Sequence, residues 1–252
     1  APMTSMEVHT TPIDVCGADT QGAIGYMISR ALMNEFRLRG MQRSVAAVVT
    51  QVVVDRNDPA FQNPTKGIGG FTTREKASEF AREGWTVRED AGRGWRRMIA
   101  SPRPLRIVER DVIRSLIDAG YVVVGVGGGG IPVIEDEQGM LRGAIAVIDK
   151  DRASSLLAVD LAVDLFLIST AVEKVAINYN KPEQRWLDRM TLSEARRYYA
   201  EGQFLAGSMG PKIEAIIAYL EANPKGRALI TRPDTIIDAL DGKTGTWVVA
   251  DA

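Results

Sequence analysis

A three-layer α/β sandwich with a mainly parallel central sheet is the fold class that this sequence predicts, and three observations lead to it. Short segments continuous in β-branched and aliphatic residues, at 45–54, 121–126, 143–148 and 164–170, read as strands buried on both faces. Segments with apolar residues at helical spacing alternate with them along the chain. Glycines and short polar runs stand at the junctions, where helices stop and strands turn.

Taken in order, residues 20–39 place Ile24, Ile28, Leu32 and Phe36 on one helical stripe, with Gly40 as the stop. Residues 45–54 form the first strand and end at Asp55-Arg56-Asn57-Asp58-Pro59. The stretch 55–104, rich in Pro, Gly and charge, is too long for a plain connection and too polar for core, so it is expected to be a protruding subdomain inserted in a single domain spanning 1–252. A helix through Val112, Ile113, Leu116 and Ile117 follows, then the strand 121–126 and a second strand 143–148. A helix bearing Leu156, Leu157 and Leu161 leads to the strand 164–170 and a short strand near 175–178. Thr191-Leu192-Ser193-Glu194 has the order of a capping box. Pro211 suits the first turn of a helix carrying Ile213, Ile216, Ile217 and Leu220. Strands at 227–231 and 246–249 close the chain around a helix at 234–240.

Composition narrows the chemistry. The chain has 252 residues, of which 45% are apolar, so disorder is excluded as its main state. With 31 Lys and Arg against 32 Asp and Glu there is no global field to hold nucleic acid or an anionic membrane, and a small-molecule partner is expected. No apolar run approaches the ~20 residues that span a bilayer, and the first residues lack the basic start and apolar run of a signal peptide. Cys16 is the sole cysteine, which fits a reducing, cytoplasmic setting. The single His9 lies in the polar opening segment, so Ser-His-Asp hydrolysis, Cys-His proteolysis and His-rich metal sites are set aside, and no protein-held metal site is expected. What remains is charge stabilisation by Lys, Arg, carboxylates and backbone amides.

Four groups of residues answer to that chemistry. Gly127, Gly128, Gly129 and Gly130 follow a strand directly, and four glycines let backbone N–H groups converge on an anion; the alternative is a flexible turn. Asp149-Lys150-Asp151 falls between a strand and a helix, holding a protonated lysine between two carboxylates, with Asp151 also a possible helix cap; the alternative is a surface charge cluster. Lys212 stands in a first helical turn, where a cation opposes the helix dipole, which points to an anionic ligand; the alternative is structural chance. On the excursion, Asn63-Pro64-Thr65-Lys66 presents a lysine on a rigid turn, and 88–106 carries six arginines, read either as a solvated face with internal ion pairs or as part of a site for a phosphorylated small molecule.

These strings resemble carbamate kinase, in the amino-acid kinase superfamily. The similar stretches begin with Pro12-Ile13-Asp14-Val15-Cys16-Gly17, Gln21-Gly22-Ala23-Ile24-Gly25-Tyr26, Val49-Thr50-Gln51-Val52, Asn57-Asp58-Pro59-Ala60-Phe61 and Asn63-Pro64-Thr65-Lys66. They continue with Glu89-Asp90-Ala91-Gly92-Arg93-Gly94-Trp95-Arg96, the string 127–134, Val147-Ile148-Asp149-Lys150-Asp151, Glu173-Lys174-Val175-Ala176-Ile177-Asn178, Gly207-Ser208-Met209 with Pro211-Lys212, and Gly242-Lys243-Thr244-Gly245-Thr246. The resemblance implies a phosphotransferase acting on a carboxyl group, moving phosphoryl between ATP and carbamate. It further implies running toward ATP in arginine, agmatine or purine-nitrogen catabolism, with Mg²⁺ held mainly through the phosphates, and a soluble homodimer. It assigns Lys150 and Lys212 to the transferring phosphoryl group and the nucleotide phosphates, Asp151 to orienting them, Lys66 to the substrate and the 127–130 loop to its seat. Ser169, Thr170, Ala171 and Val172, with Asn178, Tyr179 and Met209, are implied to line the nucleotide pocket. Such a reaction asks for positioning and cations and needs no histidine.

The sequence opens roughly 60 residues into the family pattern, and the family's Gly-Gly-Asn and His-Gly-Asn-Gly strings do not occur in it. An incomplete or fragmentary chain is the expectation drawn from this, together with exposure of sheet edges that a further strand would cover. Gly67 and Gly70 stand where the family commonly has prolines. The alternatives to a carbamate kinase are a non-catalytic nucleotide-binding or regulatory kinase-like subunit and a kinase acting on another carboxylate.

Overall fold

The computed structural model describes residues 11–89, 92–205 and 207–251; His9 and the Asp90-Ala91 pair of the quoted string lie outside them. The chain divides into two compact units, Ala1–Asp149 and Lys150–Ala252.

In the first unit, α1 (Ile13–Leu38) begins earlier than the apolar stripe suggests, directly after Pro12, whose fixed φ suits a helix start. It packs through Gly25 and Ser29, with the Gly25 backbone so near Ala47 that an added Cβ would stand 2.9 Å from that methyl group. Ile24 and Ile28, expected on its buried stripe, are exposed instead, as are Tyr26 and Met27. The segment expected as one strand is two, β1 (Val45–Ala47) and β2 (Gln51–Val54). The break falls at Thr50, whose backbone N–H donates to Gln21 Oε1 at 2.8 Å, while its C=O accepts both Gln21 Nε2, at 3.2 Å, and the Ile131 N–H, at 2.9 Å. A separate antiparallel sheet follows, made of β3 (Lys66–Thr72), β4 (Val87–Glu89) and β5 (Trp95–Ile99) in the order β3-β5-β4, with α2 (Arg74–Arg82) capped by the Thr73 hydroxyl. Phe80 stacks on Trp85, 4.7 Å between ring centroids, and the Arg97 guanidinium lies 4.1 Å above the Trp85 ring, which ties α2 to this sheet.

The unit is completed by β6 (Pro104–Ile107), α3 (Arg110–Asp118), β7 (Val122–Val124), β8 (Ile131–Glu135) and β9 (Leu141–Gly143). A four-stranded mixed sheet runs β6-β2-β8-β9, with β2 and β8 parallel, while β1 pairs in parallel with β7. Its core includes Val52, Val54, Ile107, Ile113 and Val133. Val122, Val123 and Val124 are only half-buried, because among the described residues β7 has β1 as its single neighbour. The strand expected at 143–148 is not formed. Residues 144–148 lie outside any strand, with Ala144, Ala146 and Ile148 buried, Ile145 in a bend and one isolated bridge, Ala100 to Ala146.

The second unit opens with α4 (Lys150–Leu161) and β10 (Leu165–Ser169), followed by the hairpin of β11 (Val175–Ile177) and β12 (Arg185–Leu187). Next come β13 (Arg189–Thr191), α5 (Leu192–Ala200), α6 (Met209–Ala222), β14 (Arg227–Thr231), α7 (Ile236–Leu240) and β15 (Thr246–Val249). The sheet order is β10-β14-β15-β13, with β10 and β14 parallel, so Ser169 and Thr231 end side by side. The capping box read at Thr191 and Glu194 is present in full. Ile213, Ile216, Tyr219 and Leu220 of α6 close onto Ala228, Ile230 and Val248, all almost fully buried. The fold class is α/β as the sequence predicts. Among the described residues no helix is long and apolar enough to cross a membrane.

Candidate active site

Two helices of the second unit meet at their first turns. α4 and α6 approach closely because small residues, Ala153, Ser155 and Ala215, face each other there, and the Ser155 hydroxyl donates to the Ala215 carbonyl at 2.7 Å. Arg152 and Glu214 form a second tie at 2.9 Å. This crossing brings Lys212, the fourth residue of α6, to Asp151 of α4, with Nζ 2.9 Å from Oδ2. Their side chains are 11% and 9% exposed. Lys150 Nζ lies 3.8 Å from the same Oδ2 and is 59% exposed. One carboxylate oxygen therefore faces two ammonium groups, at the N-terminal turns of two helices whose free N–H groups add positive potential. Asp151 is the second residue of α4, whose first residue is Lys150, and its carboxylate accepts from Lys212. One carboxylate against two lysines and two helix N-termini leaves an excess of positive charge, suited to a phosphate.

In the first unit, Lys66 at the start of β3 donates to Asp149 Oδ2 at 2.9 Å, the lysine 38% and the aspartate 11% exposed. The lysine expected to be presented freely on its turn is thus held by the carboxylate that precedes Lys150 in the chain.

The glycine loop is built by packing as much as by freedom. Val126, Gly127, Gly129 and Gly130 all have positive φ. A Cβ on Gly130 would fall 2.1 Å from Val52 Cγ2, and one on Gly127 would fall 2.5 Å from Gln21 Cγ. Gly128 has nothing within 4 Å, so its backbone faces open space. Thr50 anchors the loop: its hydroxyl accepts from Val126 N–H at 2.9 Å and donates to the Val48 carbonyl at 2.7 Å. The loop is therefore a held structure and not a slack turn.

The residues assigned to the nucleotide sit at strand ends of the second unit. Ser169 closes β10 and is exposed, Thr170 N–H donates to the Thr231 carbonyl at 2.8 Å, and Ala171 and Val172 follow in the bend. Asn178, in left-handed backbone with φ 52°, donates its N–H to Gln203 Oε1 at 2.8 Å. Tyr179 is exposed, with its ring edge-on to Trp186. Met209 opens α6. Of the assigned set, Lys150, Asp151 and Lys212 are brought into direct contact, while Lys66 pairs with Asp149, Asn178 bonds Gln203 and Tyr179 packs edge-on against Trp186.

Three residues that shape the site escaped the reading of the sequence: Gln21, Thr50 and Asp149 in its pairing with Lys66. Gln21 and Thr50 stand 29 positions apart, beyond any local pattern. Only their presence in the quoted strings hinted at a role.

The amino acid kinase family matches this chain over residues 11–230. A carbamate kinase of Thermococcus kodakarensis is 54% identical over 245 residues, which is 97% of this chain and 77% of that protein. The carbamate kinase-like protein YqeA of Escherichia coli is 52% identical over 244 residues, 96% of this chain and 78% of that protein. A solved structure of carbamate kinase from Giardia lamblia bound to AMP-PNP superimposes with a TM-score of 0.89 at 45% identity, covering 99% of this chain and 78% of that one. With half its residues shared over nearly its whole length, the chain belongs to the amino acid kinase family, alongside the carbamate kinases.

Proposed function

We propose that this chain is a carbamate kinase, transferring a phosphoryl group reversibly between ATP and carbamate and running toward ATP in nitrogen catabolism. The observation that carries this reading is the Asp151 carboxylate oxygen facing both Lys212, at 2.9 Å, and Lys150, at 3.8 Å, where two helices begin. In the ATP-forming direction a β-phosphate oxygen of ADP attacks phosphorus of carbamoyl phosphate. The bond from phosphorus to the carbamate oxygen breaks, and carbamate leaves as its anion. No proton need move, which suits a chain whose candidate site holds lysines and no histidine. Lys212 and Lys150 neutralise charge on the transferring group, and Asp151 holds the two ammonium groups in place. Lys66, carried by the segment 55–104 as a protruding subdomain, serves the carbamoyl end, and the 127–130 loop offers backbone N–H groups to it. Ser169, Thr170, Ala171, Val172, Asn178, Tyr179 and Met209 serve the adenine nucleotide.

Among the described residues there is no cluster of three or more His, Cys, Asp or Glu able to hold a metal. Mg²⁺ would be carried by the nucleotide phosphates and would offset their charge beside Lys150 and Lys212. The exposed apolar residues of α1, Ile24, Tyr26, Met27 and Ile28, support a homodimer in which this helix is covered by a second copy. The lone Cys16, exposed and unpaired, agrees with a reducing cytoplasm.

A coupled assay of ATP formation from ADP, run with carbamoyl phosphate and separately with acetyl phosphate, tests the substrate. The reading expects turnover with carbamoyl phosphate and far less with acetyl phosphate. Calorimetric binding of Mg-ADP with no ATP from either donor would replace it with a non-catalytic nucleotide-binding role.

A further inference from the structure

A hollow of about 600 Å³ lies in the unit Lys150–Ala252, lined chiefly by Arg189, Lys225, Arg227, Glu194 and Val249. Strand register explains why the cations gather there. Arg227 of β14 pairs with Val249 of β15, which pairs with Thr191 of β13; one step inward, Arg189 pairs with Trp247. Because alternate residues of a strand share a face, Arg227, Val249, Trp247 and Arg189 all lie on one side of the sheet. Their neighbours Ala228, Val248 and Met190 fill the core on the other side. Trp247 is fixed beneath, its indole N–H donating to the Ala239 carbonyl at 3.2 Å and its ring lying 5.3 Å from the Arg227 guanidinium carbon.

The charges do not cancel within the protein. Arg189, Lys225 and Arg227 are exposed, and none of the three forms an ion pair with a described residue. Among the described lining residues, Glu194 is the one carboxylate set against these three cations. Glu194 Oε2 accepts the Thr191 N–H at 2.9 Å in the capping box, and Asp251 is held by the Ser193 hydroxyl and N–H at 2.8 and 3.1 Å. Two arginine forks and a lysine around one hollow make a site for a multiply charged anion. It is distinct from the nucleotide segment: Arg227 begins β14 and Thr231 ends it beside Ser169, and five residues of strand put those ends about 13 Å apart.

We propose that this hollow binds a small phosphorylated polyanion, at the end of the sheet away from the candidate active site. The test is calorimetric titration of inorganic pyrophosphate into the wild-type chain, into Arg189→Ala/Arg227→Ala and into Lys225→Ala, with circular dichroism to confirm folding. The side chains replaced are exposed, so the variants fold. The double variant is expected to lose one class of pyrophosphate site, or to weaken it at least about tenfold, and Lys225→Ala to weaken the same class less. Both keep the binding class that Mg-ADP displaces, and both keep the wild-type rate of ATP formation. Pyrophosphate binding with wild-type affinity and stoichiometry in both variants overturns the proposal. A chain that makes no ATP but loses this binding class with the arginines refutes the proposed reaction and leaves this site standing.

Discussion

Replacing Lys212 by methionine separates what the buried ion pair does for the fold from what it does for chemistry. The ammonium sits 2.9 Å from Asp151 Oδ2, and both side chains are nearly enclosed. Removing one partner of such a pair strands the other charge and costs about 3–5 kcal/mol. Lys150, at 3.8 Å and mostly exposed, returns no more than about 1 kcal/mol. The expected net loss is about 2–4 kcal/mol, read as a lower midpoint in guanidinium chloride with an unchanged slope. Removing the second charge in Lys212→Met/Asp151→Asn relieves the stranding, so the double variant regains at least about 2 kcal/mol over Lys212→Met, a coupling visible in a double-mutant cycle. ATP formation behaves differently. It falls at least about 100-fold in Lys212→Met and stays down in the double variant, because the positive charge is still missing where phosphoryl charge gathers. A Lys212→Met chain as stable as wild type would refute the structural half of this reasoning. A double variant that recovers both stability and turnover would refute the catalytic half.

Other expectations follow from the same geometry. Gly130→Ala, whose Cβ would meet Val52 at 2.1 Å in backbone of φ 84°, is expected to lose about 2–4 kcal/mol in denaturant unfolding, whereas Gly128→Ala, with open space around it, leaves stability within about 0.5 kcal/mol and raises KM for carbamoyl phosphate. Gln21→Ala frees the Thr50 backbone N–H, while the Thr50 C=O keeps the Ile131 N–H, and is expected to cost about 1–3 kcal/mol, with faster hydrogen exchange at the Thr50 and Val126 amides. Burial pushes the Tyr219 phenol above its ordinary value, and its hydroxyl donates to the Val163 carbonyl at 2.6 Å. A raised folded value gives stability that is present below the unfolded pKa of about 10 and is lost as pH climbs through the folded one. Stability of the wild type therefore falls more steeply above pH about 10 than that of Tyr219→Phe, measured by urea midpoints across that range.

What could be read from the sequence was what local pattern encodes. Alternating apolar runs gave the α/β class, and the Thr191 to Glu194 spacing gave a capping box that the structure forms in full. The identity of Lys150, Asp151 and Lys212 as one group was reachable only through resemblance, because a separation of 61 positions leaves no local trace of the α4 and α6 crossing. β12 and β13 were missed because Arg185, Trp186, Arg189 and their neighbours show no apolar run; these strands owe their place to β11 and β15. The break between β1 and β2 was invisible for a related reason. Val48, Val49 and the residues around them favour strand, and it is the Gln21 amide, arriving from α1, that takes the Thr50 N–H. On α1 the helical period was right and the buried face wrong, since small residues, Gly25 and Ser29, lie against β1 while the larger apolar ones face outward.

Phosphorus NMR reads at the reacting atom whether the two lysines sharing Asp151 drive phosphoryl transfer. With carbamoyl phosphate, ADP and Mg²⁺, the wild-type chain is expected to convert the carbamoyl phosphate resonance into the γ-phosphate resonance of ATP, while Lys150→Ala and Lys212→Met leave it decaying only at the rate of the enzyme-free solution. An equal yield of ATP from the variants and the wild type would contradict the account.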